Sequence, residues 1–158
     1  KQKTAYEIMP SLVGSEMCIR DSYHTIATFG YVIEDDHYPV ALLSDCKGLP
    51  DETEEFLSQY ENLIALIDAS VSPEYENEAH NNLDEAIEIL GKFNLKLGIL
   101  THISHRNWTN AKINSYLDKN GKNNIILALD NMQIPLEEPV IPSINTPTSW
   151  QQVKPILQ

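Results

Sequence analysis

Residues 25–50, TIATFGYVIEDDHYPVALLSDCKGLP, carry the organisation of the chain. Apolar and β-branched residues crowd into TIATFGYVIE (25–34) and YPVALLSD (38–45), and the polar run DDHYP between them reads as the turn of a strand pair. The second strand ends on Asp45. Pro50 then opens PDETEEFLSQY (50–60), a helix with acids in its first turn, where they complement the helix dipole.

Working outward, NLIALID (62–68) and LKLGILTH (95–102) are short apolar runs of the kind buried in parallel sheets, and NNIILALD (123–130) is a further strand. NLDEAIEILGKF (82–93) is a helix whose Leu83, Ala86, Ile87, Leu90 and Phe93 fall on one face. Asn82 with Glu85 three residues later is a capping pair for it. A third helix covers about 107–117. Strands alternating with helices predict a layered α/β arrangement, with an antiparallel pair first and crossover units after.

In such a sheet ligands gather beyond the carboxyl ends of the strands, and three of those ends carry Asp45, Asp68 and His102. Taken singly, Asp45 and Asp68 also suit turns, because aspartate bonds its own following backbone. THISH (101–105) places two imidazoles, His102 and His105, at one strand end. Imidazole is the commonest nitrogen ligand for zinc and similar metals, and a pair of satisfied loop histidines is the alternative. His37, in its acidic turn, reads as solvent-facing, and for His80, just ahead of the capped helix, a solvent-facing position is the plain alternative to a role in a site.

The two ends of the chain have a different character. Lys1–Glu7 and Leu12–Asp21 can be spelled, in one frame, in codons that resemble a flow-cell primer and a transposase adapter of sequencing libraries, with room for an index between. Residues 1–22 are therefore expected to be translated adapter, without helix or strand, and the natural chain to begin at Tyr23. Residues 137–158, rich in Pro, Ser and Thr, read as an irregular tail.

The net charge is −12, and residues 1–22 hold three basic and three acidic residues, so the whole of it belongs to residues 23–158. Such a surface repels phosphate backbones, which disfavours nucleic acid as a partner unless a metal centre supplies positive charge. With Cys18 in the adapter, Cys46 stands alone and suits a reducing compartment. No apolar run approaches the roughly 20 residues of a membrane span, so a cytoplasmic protein without membrane contact is expected.

TFGYVIEDDHYPVALLSDCKGLPDET, HNNLDEAIEIL, LTHISH and LALDNMQI, in that order and at these spacings, resemble the C-terminal half of a metallo-β-lactamase-fold hydrolase. Within that superfamily they are most similar to the phosphoribosyl 1,2-cyclic phosphate phosphodiesterases of bacterial phosphonate breakdown. The likeness covers about 24–134. It implies an αβ/βα sandwich, of which 23–136 would be the C-terminal half, with two divalent metals, zinc or manganese, at its edge. It also implies hydrolysis of a small cyclic phosphate or phosphodiester by a metal-bound hydroxide.

Carried over by position, Asp45 matches the carboxylate that bridges the two metals and His102 the last histidine ligand. His80 matches a histidine near the scissile phosphate, where it would neutralise charge or protonate the leaving oxygen. His105 and His24 fall on second-shell or substrate-facing positions. Lys47 stands where relatives carry smaller residues and could meet a substrate phosphate. Asn131 replaces the glycine of a usual Asp-Gly-Met turn.

The resemblance further implies a His-x-His-x-Asp-His motif ahead of the bridging aspartate, and none lies between Lys1 and Asp45. The chain is thus expected to be a fragment, inactive alone. A small phosphate ester is the expected partner, with a homodimer allowed. The alternatives are a thioester or lactone hydrolase, a transfer-RNA 3′-processing nuclease of the same fold, and a non-enzymatic scaffold should the preceding half lack the ligands.

Overall fold

The structure is a computed structural model that describes residues 15–20, 28–34 and 37–135. Its elements are β1 (Ser15–Arg20), β2 (Phe29–Glu34), β3 (Val40–Leu43), α1 (Asp51–Leu57), β4 (Leu63–Asp68), α2 (Leu83–Leu90), β5 (Leu95–Thr101), α3 (Asn110–Lys119) and β6 (Ile125–Leu127). The strands form one six-stranded sheet in sequential order. β1, β2 and β3 pair antiparallel, and β3 to β6 run parallel. This is the expected α/β arrangement of an antiparallel pair followed by three crossovers.

Sequential order has a structural consequence. Parallel crossovers share one hand, so successive steps in one direction lay their helices on the same face of the sheet. That face holds Val32, Ala41, Leu43, Ala65, Ile67, Leu100, Ile125 and Leu127, packed with Leu57 of α1, Ala86 and Leu90 of α2, and Ile113 and Leu117 of α3. Packing is closest at Gly98, where an added Cβ would lie 2.8 Å from Leu90 Cδ1 and 3.2 Å from Ile125 Cγ1. The opposite face presents Ile64, Leu97, Ile99 and Ile126, against which Tyr38, Val40, Leu66, Met132 and Ile134 pack.

Local chemistry explains the helix ends. Asn82 Oδ1 accepts the Glu85 N–H at 2.9 Å and Glu85 Oε2 accepts the Asn82 N–H at 2.8 Å, the reciprocal capping pair read from the sequence. All five residues of the predicted apolar face of α2 are buried, including Phe93 just beyond it. Pro50 caps α1 through its carbonyl, which accepts from Thr53 and Glu54.

Three expectations are corrected. Residues 15–20 form a strand, whereas no element is expected over 1–22 from the pattern of residues. Backbone pairing along an open sheet edge requires extended chain and imposes little on side-chain pattern, so composition did not reveal it. The third helix begins at Asn110, not 107. Asn107 instead donates from Nδ2 to Ala69 O and accepts from Trp108 N, tying that segment to the end of β4. The strand expected over 123–130 is ordered as strand only at Ile125–Leu127.

His24 and the tail at 137–158 lie outside the described residues. Among the described residues no helix is long and apolar enough to cross a membrane.

Candidate metal centre

The carboxyl ends of β3, β4 and β5 lie side by side, since Leu43 pairs with Ile67 and Asp68 with Thr101. The residues just past those ends therefore converge. Asp45 follows β3, Asp68 closes β4, and His102 follows β5; His80 enters from the loop between β4 and α2. One ligand-type atom from each of Asp45, Asp68, His80 and His102 lies within 4.8 Å of the others.

Two of the four are held in left-handed backbone, Asp45 at φ 63° and His102 at φ 59°. That conformation costs an ordinary residue roughly 1–2 kcal/mol, and Asp, Asn and His are the types that tolerate it best. At the carboxyl edge of the sheet it turns the chain sharply and aims the side chain back over the strand ends. Asn131 shares the conformation at φ 63°, in a turn closed by Met132 N–H to Leu129 O at 3.0 Å. This position favours glycine and accepts asparagine, which accounts for the substitution in the Asp-Asn-Met turn.

Asp68 organises the cluster. It is fully buried. Its Oδ1 accepts the Ser70 N–H at 2.9 Å, while its Oδ2 accepts the Cys46 N–H at 3.2 Å. The same Oδ2 lies 2.7 Å from His80 Nδ1. A carboxylate oxygen accepts, so the proton of that bond sits on Nδ1 of His80. One side chain thereby ties the loop bearing Asp45, the loop bearing Ser70 and the imidazole of His80. Asp45 Oδ1 lies 3.4 Å from the same Nδ1.

Buried Asn81 joins the first loop to the second: its N–H donates to Cys46 O at 3.2 Å, and its Oδ1 accepts the Gly48 N–H at 2.8 Å. The His80 and His102 rings stand 5.1 Å apart between centroids. His102 is half-exposed, with Nδ1 2.7 Å from Ser70 Oγ.

The other sequence candidates are placed differently. Lys47 Nζ lies 2.6 Å from both carboxylate oxygens of Glu85, so it anchors the first turn of α2. His105 is exposed in the turn after β5 and is not part of the cluster. His37 is exposed, as expected.

Asp68 is the residue that sequence reasoning undervalued. Its turn role is real, through Ser70, but its second oxygen faces Cys46 and His80. The signal was its place at a strand end, shared with Asp45 and His102.

Beside His102 a trough of about 500 Å³ opens between the ends of β5 and β6, lined by Thr101, Ile103, Ser104, Ala128, Leu129 and Asp130. Among the described residues no lysine or arginine lines it. On the rim of the long loop after β4, Glu74 accepts from Trp108 Nε1 at 3.0 Å, and Lys112 sits 3.7 Å over the indole. A hydrogen bond from Ser72, chiefly, holds the Glu74 carboxyl below its ordinary range.

The donor set, mixed imidazole and carboxylate at a strand edge, is of a kind that can hold a divalent metal ion. Asp45 is half-exposed and His102 nearly so, which leaves both accessible to an ion, whereas Asp68 is buried and its oxygens already face Cys46 N–H, Ser70 N–H and His80 Nδ1.

No protein-family model and no curated protein matches the sequence. Among solved structures, a diphosphatase from the PhnP family superposes with a TM-score of 0.60 at 25% identity, covering 74% of this chain and 41% of that one. Human tRNase Z, short form, gives 0.59 at 17% identity over 77% of this chain and 42% of its own. YhfI from Bacillus subtilis, a metallo-β-lactamase fold protein, gives 0.52 at 18% identity over 72% and 46%. The chain thus spans less than half the length of each. With its sequential mixed sheet, helices on one face and a His/Asp cluster at the carboxyl edge, the chain is part of a metallo-β-lactamase-fold domain.

Proposed function

We propose that this chain is the C-terminal part of a metal-dependent hydrolase that cleaves a small cyclic phosphate or phosphodiester. The observation that carries the reading is the convergence of Asp45, His80 and His102 around buried Asp68. In the proposal Asp45 and His102 would hold divalent metal, zinc or manganese, with Asp45 at the position that the resemblance gives to a carboxylate shared between two ions. Such ions would polarise a phosphoryl oxygen and lower the pKa of a water. Two ligands are fewer than a closed site needs, and the resemblance implies that the remainder would come from a preceding His-x-His-x-Asp-His segment.

His80 is assigned to the substrate, not to coordination. Its Nδ1 is engaged by Asp68, so proton exchange with a leaving oxygen falls to Nε2, and the buried carboxylate stabilises the ring when it carries charge. The trough beside His102 presents hydroxyls, backbone and the Asp130 carboxylate, which suits an uncharged, hydroxyl-bearing part of the substrate better than a second phosphate. Together with the net charge of −12, this supports a small ester over a polynucleotide. A cytoplasmic setting is part of the proposal, supported by Cys46 standing as a buried thiol.

The test begins with the gene. Genomic sequence running upstream of Tyr23 should encode His-x-His-x-Asp-His about a hundred residues before Asp45, as the family resemblance implies. The complete protein should then hydrolyse a bis-aryl phosphodiester in a chelator-sensitive manner, and hydrolyse thioesters and lactones poorly. An upstream region without the motif would overturn the enzyme reading and favour a scaffold.

A further inference from the structure

Ser70 is 2% exposed, sits two residues past Asp68, and has every polar atom engaged. Its N–H donates to Asp68 Oδ1 at 2.9 Å. Its carbonyl accepts from Ser104 twice, from N at 3.1 Å and from Oγ at 2.8 Å. Its hydroxyl lies 3.0 Å from the backbone carbonyl of His102 and 2.7 Å from Nδ1 of the same residue. The serine is thus clamped at both ends of its backbone with its hydroxyl pressed against one histidine.

A hydroxyl has one proton and two lone pairs. The His102 carbonyl can only accept, and with the Ser70 proton donated there the contact with Nδ1 is made by a proton on the ring. The next nearest group, Asp68 Oδ2 at 3.5 Å from His102 Nδ1, is also an acceptor. With the Ser70 proton on the carbonyl, both Ser70 Oγ and Asp68 Oδ2 present lone pairs to Nδ1. We propose that Ser70 is a positioning residue that holds neutral His102 in its Nδ1–H tautomer, leaving Nε2 as the lone pair available to a metal ion.

The functional meaning rests on the reading of His102 as a ligand; the tautomer itself does not. A free histidine side chain prefers the opposite form, with the proton on Nε2, which has no lone pair to offer at that atom. Hydrogen bonding at the second nitrogen is the general means by which proteins set which imidazole nitrogen binds a metal. Here the setting group would be a serine hydroxyl whose own proton is spent on the ligand's backbone. It also restrains the left-handed backbone of His102, because ring and carbonyl are gripped by the same oxygen.

Long-range proton–nitrogen correlation spectra of the 15N-labelled chain, at a pH above the range of imidazole ionisation, report the tautomer directly and need no metal. His102 should show a protonated Nδ1 and a bare Nε2. Ser70→Ala should move it toward the Nε2–H form, and Ser70→Thr, which keeps a hydroxyl, should restore the original pattern. An Nε2–H tautomer in the unsubstituted chain would overturn the proposal without recourse to any variant.

In the complete protein, zinc affinity should fall roughly 10- to 100-fold with Ser70→Ala and recover with Ser70→Thr. Zinc affinity unmoved by Ser70→Ala would refute the positioning role of Ser70, whereas zinc affinity unmoved by His102→Ala would refute His102 as a ligand, so the two failures are distinguishable.

Discussion

Replacing Asp68 tests the network that gathers the cluster, and its cost can be worked from the contacts. In Asp68→Ala three donors lose their acceptor: the N–H groups of Cys46 and Ser70, and Nδ1 of His80. His80 is a quarter exposed and can turn to water, but the two backbone N–H groups belong to a carboxylate site of 0% exposure. A buried donor left unsatisfied costs about 1–3 kcal/mol, so two of them give about 2–6, softened if a water enters the vacated space. We expect about 3–5 kcal/mol for alanine, a large part of a domain's usual 5–15 kcal/mol.

Asp68→Asn is more diagnostic because the shape is kept. Its single oxygen can serve Cys46 and His80 together, which turns the amide NH2 toward the Ser70 N–H and loses one bond, at about 1–3 kcal/mol. Urea unfolding followed by the fluorescence of Trp108, with Trp150→Phe in the parent and in every variant, measures both. An asparagine variant within about 0.5 kcal/mol of the parent, with an unchanged dependence on urea, would refute the claim that this carboxylate binds the three segments together.

Two further outcomes come from local geometry. His102→Gly should be more stable than His102→Ala by about 1 kcal/mol, since both lose the ring and only glycine is at ease at φ 59°; equal urea midpoints would show that the left-handed turn carries no strain. Burial first, then the 2.5 Å hydrogen bond to Glu34, raises the Tyr60 phenol to about 12 from 10.0. A raised folded-state value means that the stabilisation from Tyr60 is complete below pH 10 and fades as pH climbs toward 12. Ultraviolet titration of Tyr60→Phe against the parent should remove a phenol that ionises at about 12, and the loss of one that ionises near 10.0 would contradict the assignment.

Much of this fold is legible in sequence because its signals are short-range. The strand pair on either side of the acidic turn, the apolar face of α2 and the Asn82–Glu85 cap each depend on residues within one or two turns of each other. The site is legible only in part. Asp45 and His102 stand out once strand ends are known, because a sheet edge brings them together, whereas His80 lies in the loop before α2 and is picked out by the family resemblance.

What escaped lies in contacts between distant residues. Asp68 looks like a turn aspartate, and through Ser70 it is one; its bonds to Cys46 and His80 span 22 and 12 residues. Lys47 looks available to a phosphate from its place beside Asp45, but Glu85, 38 residues on, holds it with both oxygens. Ser70 carries no sequence signal at all, since its role depends on the ring of His102, 32 residues away.

The most direct test of the proposed site separates coordination from reaction chemistry in the complete protein. Bound metal is measured by elemental analysis beside hydrolysis of a bis-aryl phosphodiester, for the parent, Asp45→Ala and His80→Ala. The account predicts that Asp45→Ala loses metal and activity together, while His80→Ala keeps its metal and loses turnover by roughly 100-fold or more. Metal retained in Asp45→Ala, or stripped by His80→Ala, would contradict the assignment of the carboxylate to the ions and the imidazole to the substrate.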